Sequence, residues 1–301
     1  MNLKIAFLKL AVRAKRRKEV WKDPVGERFF VPRAGKKPVD VLLYRPKTEE
    51  GPWPVLFNIH GGAWVGCDAS QMDSYCVDMA EKCGAFIVNI NYTKLDIQPF
   101  PYPQEEIRDT VLYFREHAEE YGLDREKFAL IGYSAGGHLA AAGTLMLHDM
   151  GVDVSAQVLC YPFLSFSGFD GLLSNGDSRA VEELFFPEGV RRDDPYISPA
   201  AASDEQLQGL AHTVFICCGA DPLTAQAKAY QEMLARNGVP VVWKLYEDAL
   251  HGFLEVNHKE YPAQDGKNPQ QATLARAAED EIAKELKERW QKNEKRGNIK
   301  L

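Results

Sequence analysis

Residues 131 to 140 read IGYSAGGHLA, with Ser134 set between Gly132 and Gly136 and Gly137 behind them. A serine hydroxyl is a weak nucleophile alone, so chemistry here needs a base to take its proton and a carboxylate to orient that base. Of the seven histidines, His117, His138, His148 and His212 fall in or beside regular elements and read as structural or exposed. His258 lies in a charged segment. His251 differs, because His251-Gly252-Phe253 follows the last apolar strand pattern in a loop, where a side chain reaches the strand ends. It is the expected base. The expected acid is Asp221, which directly follows the run TVFICC and precedes Pro222, a residue suited to opening a helix. Asp248, three residues before His251, is the competitor, disfavoured because an orienting acid normally comes from a separate strand end.

Acyl transfer also needs hydrogen-bond donors aimed at the charged tetrahedral oxygen, each worth roughly 3 kcal/mol. One is the backbone N–H of Ala135, directly after the serine. Others are expected from His60-Gly61-Gly62-Ala63-Trp64, which follows the run VLFNI. Glycines there let the main chain turn its N–H groups toward a ligand. The bland alternative for both glycine-rich stretches is an ordinary turn. Context decides against it: Gly132-Tyr133-Ser134-Ala135-Gly136 stands between the run FALIG and the helical pattern AAGTLMLH, the strand–turn–helix setting that gives G-x-S-x-G its meaning.

The elements that must position these groups follow a simple rhythm. Two β-prone runs, Arg28 to Val31 and Val39 to Tyr44, read as a hairpin. Strands are then expected at 55–59, 86–92, 128–132, 156–161, 213–218 and 241–246, and helices near 70–83, 103–121, 135–149, 222–237 and 269–293. Strands apolar throughout, each followed by a helix, imply an α/β fold with a mostly parallel central sheet flanked by helices. Residues 165–200 are too long for one crossover helix and read as an insertion over an active site. No internal repeat is evident, and the charged C-terminal helix reads as a solvated face.

Composition narrows the function classes. The chain has 301 residues, 45% of them hydrophobic, and a net charge of −7, so a sizeable core is expected and nucleic acid is not an expected partner. The six cysteines show no CxxC pair and no metal spacing, which points to a reducing, cytoplasmic compartment. Cys217 and Cys218 read as small core residues on opposite faces of one strand. The basic N-terminus is interrupted by Lys9 and followed by Arg13 to Lys18, unlike a secretory signal. Leu3, Phe7 and Leu10, and Ile5, Leu8 and Val12, recur at helical spacing. An amphipathic helix docking on the protein is expected there, with membrane contact left open.

Taken in order, HGGAW, GYSAGG, DPL and HGF, with DPYISPA ahead of the acid-bearing strand, resemble the hormone-sensitive-lipase-like group of α/β-hydrolase esterases over residues 38 to 290. That group includes bacterial carboxylesterases and acetyl esterases. The resemblance implies a single α/β-hydrolase domain over 1–301 with small cap-like segments at 1–30 and 165–200. It implies a carboxylesterase acting on short-acyl or acetyl esters through an acyl-enzyme, with Ser134 as nucleophile, Asp221 as acid and His251 as base. The backbone amides of Gly62, Ala63 and Ala135 are the implied oxyanion hole, with Gly61 a nearby candidate. Trp64, Tyr133, Phe163 and Phe253 are candidates to line the substrate pocket. No metal or organic cofactor is implied; the partner is a small-molecule ester, and homo-oligomers are open. Two departures stand out: the group commonly has a third glycine where Ala63 stands and an aspartate where Tyr133 stands. The alternatives on the same triad are an aryl-formamidase or other amidase, and, from another class, a non-catalytic binding module.

Overall fold

In the computed structural model, which describes residues 3–20, 23–47, 50–167, 185–186, 188–258, 261 and 267–297, the apolar runs become one eight-stranded sheet. Its strands are β1 (Glu27–Val31), β2 (Val39–Tyr44), β3 (Trp53–Ile59), β4 (Phe86–Asn91), β5 (Leu123–Tyr133), β6 (Ala156–Cys160), β7 (His212–Cys218) and β8 (Val241–Tyr246), in the order β1-β2-β4-β3-β5-β6-β7-β8. β2 pairs antiparallel with both β1 and β4, and every other pairing is parallel. Only β2 therefore runs against the rest. β6 is buried along its whole length, whereas edge strand β8 is largely half-buried, the gradient expected of a sheet covered on both faces.

Alternate residues of each strand enter two separate apolar layers. Phe128 and Leu130 of β5 pack on one side, and Ala129, Ile131 and Tyr133 on the other. Cys217 and Cys218 divide in the same way, as the period of two requires, and none of the six cysteines forms a disulfide. The first layer is completed by α3 (Tyr102–Glu116), α4 (Ala135–Asp149) and α5 (Thr224–Arg236). The second is completed by α2 (Asp73–Cys83) and α7 (Pro269–Gly297). The short α6 (Phe253–Asn257) lies at the sheet end that carries His251.

Three sequence expectations change here. Helix α7 is not simply solvated: Ala275, Ala278, Ile282, Leu286 and Trp290 form a buried stripe, and Trp290 Nε1 donates to Ser155 Oγ at 3.1 Å. A stripe at spacing three and four is what a helix needs to cover one sheet face, however many charges lie on its other side. The expected N-terminal segment of 1–30 overlaps the sheet, since residues from Glu27 onward belong to β1. Helix α1 (Leu3–Glu19) meets the body, and among its described side chains the contacts run through arginines. Arg13 and Arg16 both bind the carboxylate of Asp96, and Arg16 also donates to Val65 O at 2.6 Å, whereas Leu10 is 68% exposed. An open cavity of about 360 Å³ lined by Arg13, Arg16, Arg17, Asp68 and Ile97 separates this helix from the loop below.

Of the insertion, residues 168–184 and 187 lie outside the described residues. Its described ends are tied together: Phe166 N–H donates to Ser198 Oγ and Ala200 N–H to Leu164 O. Among the described residues no helix is long and apolar enough to cross a membrane, and no three His, Cys, Asp or Glu side chains form a metal-binding group.

Candidate active site

β5 delivers Ser134 at a turn so tight that side chains are excluded around it. A Cβ on Gly132 would collide with Gly136 O, and one on Gly136 with the carbonyls of Ile59 and His60. Ser134 itself has φ 53° and ψ −114°, a conformation that costs a non-glycine residue about 1–3 kcal/mol. The strain is held by the sheet, because Ser134 N–H donates to Cys160 O at 2.9 Å. Its effect is to lift the hydroxyl off the end of β5, ahead of the first turn of α4.

His251 and Asp221 come to this hydroxyl from two other strand ends. His251 Nε2 lies 2.9 Å from Ser134 Oγ, and Nδ1 lies 2.5 Å from Asp221 Oδ2. An ionised carboxylate only accepts, so Nδ1 carries the proton and Nε2 is left to accept from the serine. The Asp221 side chain is 1% exposed and its other oxygen accepts Leu223 N–H at 2.9 Å, while the His251 side chain is 41% exposed. Asp248 is exposed, and among the described residues its side chain forms no such contact; its backbone carbonyl accepts from Gln271 Nε2. The other histidines are held elsewhere. His138, for example, is buried between Trp64 Nε1 and Ile197 O, and burial pushes its pKa down to about 4.

The turn after β3 carries a run of positive φ angles at Gly62 (106°), Ala63 (49°) and Trp64 (60°). Ala63 thus occupies, at some strain, a conformation that glycine adopts freely. The N–H groups of Gly62, Ala63 and Ala135 donate to no acceptor among the described residues. Gly61 is different and the expectation for it is corrected: its N–H is spent on Glu255 Oε1 at 2.9 Å. Its carbonyl is also held, by His60 Nδ1 at 2.7 Å and Tyr92 O–H at 3.1 Å.

The four aromatic pocket candidates are all buried, at 2% exposure or less. Tyr133 faces away from the hydroxyl, its ring edge-on to Tyr75 at 5.6 Å within the second apolar layer, and Phe253 packs on Tyr161 and Tyr246 in that layer. Both are packing residues. Period two explains Tyr133, because a residue directly before Ser134 on β5 must point to the sheet face. Trp64 and Phe163 meet edge-on at 5.1 Å in an aromatic cluster with Phe100, Phe166 and Phe185, which seats described residues of the insertion beside the loop after β3.

Several groups that sequence reasoning passed over are buried around Gly61. Lys94 donates to His60 Nε2 at 3.0 Å, to Tyr92 O at 2.7 Å and to Asn91 Oδ1 at 3.1 Å. Burial lowers Lys94 to about 8; burial and the lysine charge together lower His60 to about 3. Glu255 is pushed up to about 7 by burial, against the pull of Gly61 N–H, His251 and Tyr161. The only sequence hint was a charged residue set in the apolar run HGFLEV.

Comparison with known proteins agrees with this fold. A family model described as alpha/beta hydrolase fold matches residues 56–255. An arylesterase of Saccharolobus solfataricus is 29% identical over 254 residues, 79% of this chain and 80% of that one. An esterase of Fusarium pseudograminearum is 29% identical over 233 residues, 73% of this chain and 72% of its own. The solved hyperthermophilic esterase of Pyrobaculum calidifontis superposes with a TM-score of 0.74 at 26% identity, covering 95% of this chain and 91% of that one.

Proposed function

Because the chain belongs to the alpha/beta hydrolase fold family, we propose that it is a carboxylesterase working through an acyl-enzyme on Ser134. The observation that carries this reading is the unbroken hydrogen-bond chain from Ser134 Oγ through His251 to Asp221. Relatives named as esterases support the ester bond as its target. His251 Nε2 takes the serine proton as Oγ attacks the ester carbonyl. The resulting oxyanion sits against the N–H groups of Gly62, Ala63 and Ala135, which donate to no acceptor among the described residues. His251 then hands its proton to the leaving alcohol, and water releases the acid by the same steps. Asp221, buried and acceptor-only, holds the imidazole in the required tautomer throughout.

The loop after β3 is flanked by α1, through Arg16 on Val65 O, and by the described insertion residues Phe166 and Phe185, which pack on Trp64. Support for a short-acyl preference is the filled aromatic cluster of Trp64, Phe100, Phe163 and Phe166, which occupies the space beside that loop. The test is a panel of p-nitrophenyl esters from acetyl to palmitoyl, with acetylated sugars and an aryl formamide alongside, run on wild type and Ser134→Ala. Turnover should be highest for acetyl to butyryl esters and vanish in the variant, and a serine-directed phosphonate should label only wild type. Equal turnover in both proteins, with no labelling, would sink the proposal.

A further inference from the structure

We infer that Glu255 is a positioning residue for the oxyanion loop, coupling the segment that carries His251 to the peptide that aims Gly62 N–H. The inference rests on the catalytic reading above and adds a residue to it. Glu255 lies four residues beyond His251, on α6. Its side chain is buried and crosses to the far side of the site, where Oε1 accepts Gly61 N–H at 2.9 Å. Oε2 lies 3.4 Å from Tyr161 O–H, and the Tyr161 ring packs on the His251 ring at 5.1 Å. One carboxylate therefore touches the oxyanion loop directly and the base through a single aromatic ring.

The contact is built rather than incidental. A Cβ at Gly61 would come within 2.9 and 3.1 Å of the two carboxylate oxygens and 3.1 Å of Tyr133 O, so the glycine is required for the approach. Among the described residues no basic side chain forms an ion pair with Glu255, and isolation of this kind costs stability. The peptide geometry says what the contact does. Gly61 N–H is pinned by Glu255, and Gly61 C=O by His60 and Tyr92. Because a peptide unit is planar and trans, a fastened Gly61 C=O directs Gly62 N–H the opposite way. Fixing both ends of Gly61 sets its φ and ψ, and with them the aim of Gly62 N–H.

Two substitutions separate this role from a general need for charge. Glu255→Gln keeps an acceptor at the same reach, with its amide N–H groups free to face the Tyr161 oxygen. Glu255→Asp keeps the charge but retracts it from Gly61. On p-nitrophenyl acetate, Glu255→Gln should hold kcat within about threefold, while Glu255→Asp loses at least tenfold toward the roughly hundredfold cost of an oxyanion donor. KM should stay within about twofold in both, since the donor acts on the transition state. Amide exchange of the peptide spanning 59–66 should quicken in Glu255→Asp alone, with the rest of the chain protected. A reversed ranking, unchanged kcat in both, or a loss confined to KM overturns the inference. An inactive, unlabelled wild type would instead overturn the esterase reading, so the two failures are distinct.

Discussion

Two histidines of the candidate site, His251 beside Ser134 Oγ and His60 in the loop after β3, meet opposite surroundings. His251 is partly open to solvent and paired with a buried carboxylate, so a proton arriving on its free nitrogen meets a waiting negative charge. His60 is sealed in the protein and faces Lys94, so a proton arriving there would meet a positive one. Lys94 can only donate, which makes His60 Nε2 an acceptor and commits Nδ1–H to the Gly61 carbonyl. The ring is the same in both places. Exposure and the sign of the partner decide that one can cycle protons and the other can only hold a peptide.

The comparison can be broken first at His251. Asp221→Asn should lower kcat by about 10⁴-fold, because an amide in that place favours the wrong imidazole tautomer. Asp248→Asn, on the surface, should leave kcat within about twofold. Steady-state rates on p-nitrophenyl acetate decide this, and a larger loss at Asp248 would reassign the acid.

A smaller effect is expected at the other histidine. Lys94→Met preserves most of the buried stem but strands His60 Nε2 without a donor. The expected loss in kcat is about tenfold, short of the roughly 10²–10³-fold for an oxyanion donor removed outright. Nitrogen-15 spectra should show His60 shifting from a single Nδ1–H tautomer to a mixture, with its pKa rising from about 3 as the neighbouring charge goes. A single tautomer with unchanged kcat would show that Lys94 plays no part in aiming the loop.

The smallest effect concerns stability. The folded-state pKa of Glu255, about 7, lies above the ordinary carboxylate value. The native protein therefore binds more protons than the unfolded chain between those two values, and stability falls as pH rises through that window. Its contribution is fully present below the ordinary carboxylate value and lost above about pH 7. Glu255→Gln removes the dependence. Its melting temperature relative to wild type should rise by about 2–4 °C from pH 4.5 to pH 8. A difference that stays flat across this range would mean that Glu255 titrates normally.

Much of this site was legible in the chain, for reasons that differ by residue. Strands such as VLFNI and TVFICC are near-continuous apolar runs because both their faces are covered, and their shortness and the helical patterns between them mark them as strands. Ser134, Asp221 and His251 drew notice because each lies within five residues of the end of a strand pattern. Tyr133 and Phe253 misled because an aromatic beside a reactive residue reads as pocket, whereas strand parity turns Tyr133 into the sheet layer. The Glu255 contact spans 194 positions and left no local signature beyond a charge among apolar neighbours.

What the sequence determined by itself, then, is the sheet, the turns at its strand ends and the chain order of Ser134, Asp221 and His251, since these depend on local periodicity and on glycine at fixed offsets. What only the tertiary structure decided is the state of each group: which amides are free, which carboxylate is buried without a counter-ion, and which histidine is held neutral. Those properties depend on desolvation and on partners brought from distant strands, and neither is encoded in spacing along the chain.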